Sequence, residues 1–236
     1  MTGVRLAMWS GPRNISTALM RAFENRPDTR VVDEPLYAYY LKETGLNHPV
    51  REQVIKAGEQ DWRKVVAELT APVDGVYYQK HMTHHLIPQL PRDWIPQLTN
   101  VLLIRDPAEV VASYVRSRAD VVAEDIGLVQ QTELYDQLGC HIPVIDAADF
   151  LGDPEKYLRW LCEYVGIDFT DRMLHWPPGP RDSDGVWAPY WYKAVVESTG
   201  FEPYRPRTVR LTGAAADAVE RSRPHYERLR DARLRL

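Results

Sequence analysis

The stretch that most constrains the fold runs from residue 4 to residue 23, where an apolar run passes across a short turn into a helical repeat. Val4, Leu6, Ala7, Met8 and Trp9 read as a buried strand, and Ile15, Ala18, Leu19, Ala22 and Phe23 recur at helical spacing. A strand feeding a helix this closely is the opening unit of a parallel α/β sheet. The turn itself holds Ser10, Gly11, Pro12, Arg13 and Asn14, with Ser16 and Thr17 just inside the helix. Free backbone N–H groups point outward at a helix start, and the helix dipole favours negative charge there. Hydroxyls, a glycine and an arginine crowded onto such a start make a receptor for an anionic group. The plain alternative is a helix capped by Ser10 or Asn14. A nucleoside-triphosphate loop would need a second glycine followed by lysine; neither follows Gly11 here.

A second segment repeats the arrangement. Residues 99–104, Thr-Asn-Val-Leu-Leu-Ile, read as another buried strand running straight into Arg105, Asp106 and Pro107. Aspartate followed by proline is the signature of a helix cap with proline in the first turn. Ser113 lies seven residues beyond Asp106, close to two helical turns, and so returns to the face of the cap. Arg105 and Ser113 can then converge on one anion, because a guanidinium offers a planar fork of donors suited to phosphate oxygens. Two anion grips at strand ends fit the ligand crevice of an open parallel sheet.

Both segments resemble the nucleotide-binding motifs of the sulfotransferases. Arg13 to Thr17 is similar to that family's 5′-phosphosulfate loop, a basic residue, two spacers and two hydroxyl residues. Arg105 to Ser113 is similar to its 3′-phosphate motif. The likeness extends more loosely along the chain to Pro224, His225, Tyr226, Glu227, Arg228 and Leu229, which resemble the terminal helix of several bacterial members. It implies an α/β fold of the P-loop type, a mostly parallel central sheet of about five strands flanked by helices, forming one domain over residues 1–236. It also implies the donor 3′-phosphoadenosine 5′-phosphosulfate, no metal, and a small-molecule acceptor carrying a hydroxyl or amine. Gly11, Pro12, Arg13, Asn14, Ile15, Ser16 and Thr17 would hold the 5′ end, and Arg105 and Ser113 the 3′ phosphate. Arg13 stands where many members have a lysine that also stabilises the leaving oxygen. Ala18 stands where many have a tryptophan that stacks on adenine.

The remaining chain alternates in the manner of such a sheet. Further strands are expected at 30–33, 75–81 and 141–145, and residues 36–69 read as helical with breaks near Gly45 and Pro49. Helices are also expected through Val115, from 124 to 138 and from 155 to 165, the last with Tyr157, Leu158, Leu161 and Val165 inward. Glu and Asp residues around 119–125 read as a solvated surface. Residues 177–207 hold several prolines and six aromatic side chains with little periodicity, a texture common to functional or mobile loops, and the resemblance implies a loop over nucleotide or acceptor. The family's late basic loop would place Arg181, and more loosely Lys193, on the nucleotide. Packing is the simpler role for any single ring in that stretch.

A net charge of −4 excludes a general nucleic-acid binder. Cys140 and Cys162 supply neither a disulfide framework nor a metal cluster and are expected to be reduced and partly buried. With no leader or long apolar span, the expectation is a cytoplasmic protein without membrane contact; a homodimer is among the states the sequence allows.

Two residues compete as general base. Lys80 and His81 end the third strand, where many family members carry a Lys-x-His run; here the two are adjacent. Glu34 ends the second strand, and some family members use a glutamate. Histidine has the better unperturbed pKa, while glutamate needs raising by burial. Lys80 and Arg13 join them as catalytic candidates. Within the run of His81, His84 and His85, His81 and His85 at helical spacing could instead share a face and hold a metal, but no third ligand of suitable spacing follows. Beside the transferase stand two other readings, a non-catalytic adenine-nucleotide-binding regulator and an atypical P-loop small-molecule kinase.

Overall fold

The computed structural model describes residues 3–116, 121–206 and 209–236. Five parallel strands form one sheet: β1 (Val4–Ser10), β2 (Thr29–Asp33), β3 (Val76–Met82), β4 (Thr99–Ile104) and β5 (Val144–Asp146), in the spatial order β2-β3-β1-β4-β5. Parallel strands covered on both faces can be apolar at every position, and β1 is buried from Leu6 onward. Alternation divides its side chains. Leu6 and Met8 pack with Leu19, Met20 and Phe23 of the Ser16–Glu24 helix and with Leu158 and Leu161 of the Pro154–Val165 helix. Ala7 and Trp9 point to the opposite layer, shared by Val65 and Leu69 of the Trp62–Thr70 helix, Val111 of the Pro107–Tyr114 helix, and Tyr226 and Leu229 of the Ala214–Asp231 helix.

Local chemistry accounts for several departures from expectation. The edge strand β5 starts at Val144 and ends at Asp146 rather than covering 141–145. Pro143 has no N–H to donate, although its carbonyl accepts from Leu102 N at 2.9 Å. The expected helix 124–138 is two, Ala123–Ile126 and Leu128–Gln137, divided at Gly127 with φ 79°. Between residues 36 and 70 stand three helices, Tyr37–Thr44, Arg51–Ala57 and Trp62–Thr70. The unanticipated third begins at Asp61, whose carboxylate accepts from Arg63 N. Asp125 is buried and accepts from Val122 N at 3.2 Å, so the solvated reading fails there; its part at residues 119 and 120 lies outside the described residues. Cys162 is buried, and that burial pushes its thiol up to about 11, whereas Cys140 is exposed.

β1 is central, and the strands on its two sides are reached by crossovers leaving in opposite directions. Crevices form at the carboxyl ends of such strands. Register decides what meets there. Asp33 is level with Lys80, Ser10 with both Met82 and Leu103, and Arg105 follows directly on β4. No helix among the described residues is long and apolar enough to cross a membrane.

Candidate active site

A cleft of about 660 Å³ opens over these strand ends. Its floor is residues 12–18, the turn after β1 and the first helical residues. The Ser16–Glu24 helix has no side-chain cap and no acid in its first turn. Ser10 donates to Gly11 O at 2.8 Å, and Asn14 Oδ1 accepts only from Ile15 N at 2.8 Å while its Nδ2 reaches Leu103 O at 3.1 Å. Neither caps the helix. The dipole end therefore faces the cleft uncompensated.

Gly11 explains how the turn fits. A β-carbon there would lie 2.2 Å from Ile126 O. Gly11→Ala is therefore expected to cost about 1–3 kcal/mol through overpacking, read as a drop of several degrees in melting temperature. An unchanged midpoint would show that the turn can shift aside.

Three guanidiniums gather around Ser113. Arg13 Nε donates to Ser113 Oγ at 3.0 Å, and Arg116 NH2 donates to the same oxygen at 3.2 Å. Arg105 NH1 donates to Arg13 O at 3.1 Å. Arg105 also binds Glu109 Oε2 at 2.9 and 3.0 Å, and Tyr204 donates to the other oxygen of that carboxylate at 2.7 Å. As expected, Asp106 caps the Pro107–Tyr114 helix by accepting from Ala108 N at 2.8 Å, and Arg223 grips it from the far side at 2.7 Å. Burial, then the charges of Arg116 and Arg105, lower the pKa of Arg13. An anion entering the cleft would relieve that repulsion. Arg13 also adopts φ 55°, a left-handed conformation uncommon outside glycine. Such strain collects at binding sites held by surrounding structure.

At the other end of the cleft lies a buried charge cluster. Lys80 Nζ donates to Asp33 Oδ1 and Glu34 Oε1, both at 2.7 Å, and to the Tyr192 hydroxyl at 2.6 Å. Tyr192 donates in turn to Asp33 Oδ2 at 2.6 Å and accepts from Trp187 Nε1 at 2.9 Å. Lys80 and Asp33 side chains are 1% exposed, but Glu34 is 11% exposed and faces the cleft. Burial raises the Glu34 pKa; Lys80 opposes the rise and Asp33 adds to it. Burial alone would draw the Lys80 proton off, yet Asp33 and Glu34 outweigh it and hold the ammonium charged.

Sequence reasoning placed some groups elsewhere. His81 is not in the cleft. It is buried, its ring stacked on Trp9 at 4.1 Å, with Nε2 3.2 Å from Gln79 Oε1. Burial pulls its pKa down to about 3, the wrong place and the wrong proton affinity for a base near neutral pH. Arg181 is also outside the cleft lining, 3.9 Å from Glu24 and bonded to Pro177 O at 3.0 Å. Lys193 lines nothing there either; Arg210 does. The aromatic stretch, described to residue 206, divides its rings. Trp191, Tyr192 and Phe201 line the cleft, while Trp187 packs in a core cluster and Tyr190 is exposed. No group of three or more His, Cys, Asp or Glu side chains able to hold a metal occurs among the described residues. Asp33, Tyr192 and Arg116 were missed. Arg116 carried a signal, since it stands three residues after Ser113, one turn on from it.

A family model described as a sulfotransferase domain matches residues 4–232. Two Arabidopsis thaliana proteins, named branched-chain-amino-acid aminotransferase-like protein 1 and protein 2, are 40% and 36% identical to 94% of this chain. The chain spans 41% and 40% of their lengths, so most of each relative has no counterpart here. Among solved structures, the sulfotransferase domain of the Synechococcus PCC 7002 olefin synthase superposes with a TM-score of 0.54 at 16% identity, covering 94% of this chain and 95% of that one. The sulfotransferase domain from the curacin biosynthetic pathway gives 0.53 at 15%, covering 96% and 98%. At such identity these two establish a shared fold.

Proposed function

The chain belongs to the sulfotransferase family, and from that membership we propose that it acts as one domain moving a sulfuryl group from 3′-phosphoadenosine 5′-phosphosulfate to a hydroxyl or amine of a small acceptor. The observation that carries this reading is the cleft itself. An uncapped helix start and three clustered guanidiniums lie at one end, and a raised carboxylate faces the same space from the other. The helix N–H groups with Ser16 and Thr17 suit the 5′ end of the donor. Ser113, Arg105 and Arg116 suit the 3′ phosphate. The bound donor supplies an activated sulfuryl group on a phosphate leaving group.

The chain's own residues supply the rest. Arg13 offers charge where the leaving phosphate gains it, and preorganised donors in a partly buried cleft are worth far more than in water. Positioning and electrostatics dominate transfers of this kind, as they do for phosphoryl groups. Glu34 takes the acceptor's proton. Its raised proton affinity matches that task, and turnover then rises with pH as the carboxyl ionises.

Thermal-shift titration with adenosine 3′,5′-bisphosphate against ATP tests the reading. At a hundredfold excess over the dissociation constant, the bisphosphate should stabilise by about 2.7 kcal/mol, several degrees, with ATP well behind. Arg105→Ala should abolish the preference. Equal responses, or an ATP response alone, would favour a kinase and overturn the proposal.

A further inference from the structure

All three protons of the Lys80 ammonium are spoken for, by Asp33, Glu34 and the Tyr192 hydroxyl. None remains for a transferred group, so Lys80 acts on its neighbours. The hydroxyl of Tyr192 is equally committed, giving its proton to Asp33 and receiving from Lys80 and Trp187. It also lies 3.4 Å from Glu34 Oε1. This phenol enters from the late loop, far along the chain from β2 and β3. The preceding residue, Trp191, accepts from Arg13 NH1 through its backbone carbonyl at 3.2 Å. One dipeptide thus touches the anion grip with its first residue and the carboxylate cluster with its second.

We propose that Tyr192 is a positioning residue for Glu34: its hydroxyl locks the Asp33–Lys80 pair so that the Glu34 carboxylate is held ionisable and aimed into the cleft. The inference rests on Glu34 as the base of the proposed transfer. Charged and titratable groups reach Glu34 from each packed element: Asp33 from β2, Lys80 from β3, Tyr37 from the Tyr37–Thr44 helix, and Tyr192 from the late loop. Two of them act in opposite senses. The phenol favours the carboxylate form of Glu34 by drawing off charge from Asp33, to which it gives its one proton. The Asp33 charge itself disfavours it.

That opposition gives a signed test. In protein labelled with ¹³C at glutamate carboxyls, Glu34→Gln identifies the Glu34 resonance, and its titration is followed by NMR. Tyr192→Phe should move the midpoint up by about one pH unit, a tenfold change in proton affinity. Asp33→Asn should move it down by a similar amount. Should Tyr192→Phe fail to fold, Trp187→Phe removes one donor to the same phenol and should give a smaller upward shift. The rising limb of kcat against pH should follow each midpoint, with the donor KM little changed. Midpoints that stay put, move in the same direction, or a kcat lowered equally at every pH would overturn the proposal. Turnover surviving in Glu34→Gln would instead remove the base assignment, leaving the titration result to stand or fall by itself.

Discussion

Glu34→Gln should lower kcat by about 10³-fold, within the usual range for losing a general base, while leaving affinity for adenosine 3′,5′-bisphosphate nearly unchanged. The substitution keeps the shape and removes the charge. Lys80 retains an acceptor in the amide oxygen, and Asp33 still balances its ammonium at 2.7 Å, so the cluster should stay folded. Glu34 makes no direct hydrogen bond to Arg13, Arg105 or Arg116, which is why binding should survive. His81→Phe serves as the counterpart. That ring packs against Trp9 away from the cleft, and an aromatic replacement should preserve most turnover and the whole pH profile. Radiolabelled donor and calorimetry with the bisphosphate read the two quantities separately. A Glu34→Gln enzyme within tenfold of wild type would mean the acceptor arrives deprotonated or the base lies elsewhere.

The Glu34 result also fixes the sign of the pH response. With Glu34 as the proposed base, burial raises its proton affinity, so the protonated and inactive form should persist above the ordinary carboxylate range. Activity should climb as pH rises through that raised value. A histidine base at position 81, held near 3, would leave the profile flat over the same interval.

How much of this was legible beforehand depended on whether a signal was local. β1 and β4 announced themselves as largely apolar runs and β3 by its β-forming Val76, Tyr77 and Tyr78, and the Arg13 and Arg105 turns stood directly at strand–helix junctions. Parallel order then did the assembling, because it sends every strand's carboxyl end to one edge. His81 was misplaced although period two along β3 held the answer: Lys80 and His81 must point to opposite faces, so the two could not share one site. Tyr192 was illegible for a different reason. It is one ring among several in an aperiodic stretch, and its place beside Asp33 is set only when Gly185 N meets Asp33 at 3.3 Å and the Arg21–Asp184 pair at 2.7 Å ties that stretch to the first helix. Arg21 is 1% exposed, a charge sealed inside the protein by a partner distant in sequence. The same tie holds Arg181 close to Glu24, away from the cleft.

Arg13→Ala should cost turnover about 10²- to 10³-fold, the scale seen when one preorganised donor to a developing charge is deleted. Arg13→Lys should recover most of it, since the charge remains within reach even though the bonds to Ser113 and the Trp191 carbonyl are lost. The informative variant is Arg13→Gly. The native backbone is left-handed there at φ 55°, a conformation that costs a non-glycine residue roughly 1 kcal/mol and glycine almost nothing. Removing the side chain also lifts the repulsion from Arg105 and Arg116. Arg13→Gly should therefore be as inactive as Arg13→Ala yet melt above it by an amount equivalent to about 1 kcal/mol. Differential scanning calorimetry on the pair decides the matter. Equal melting temperatures would mean the turn relaxes once the guanidinium is gone, and that its strain is imposed by the contacts of Arg13 rather than stored in the loop that presents it.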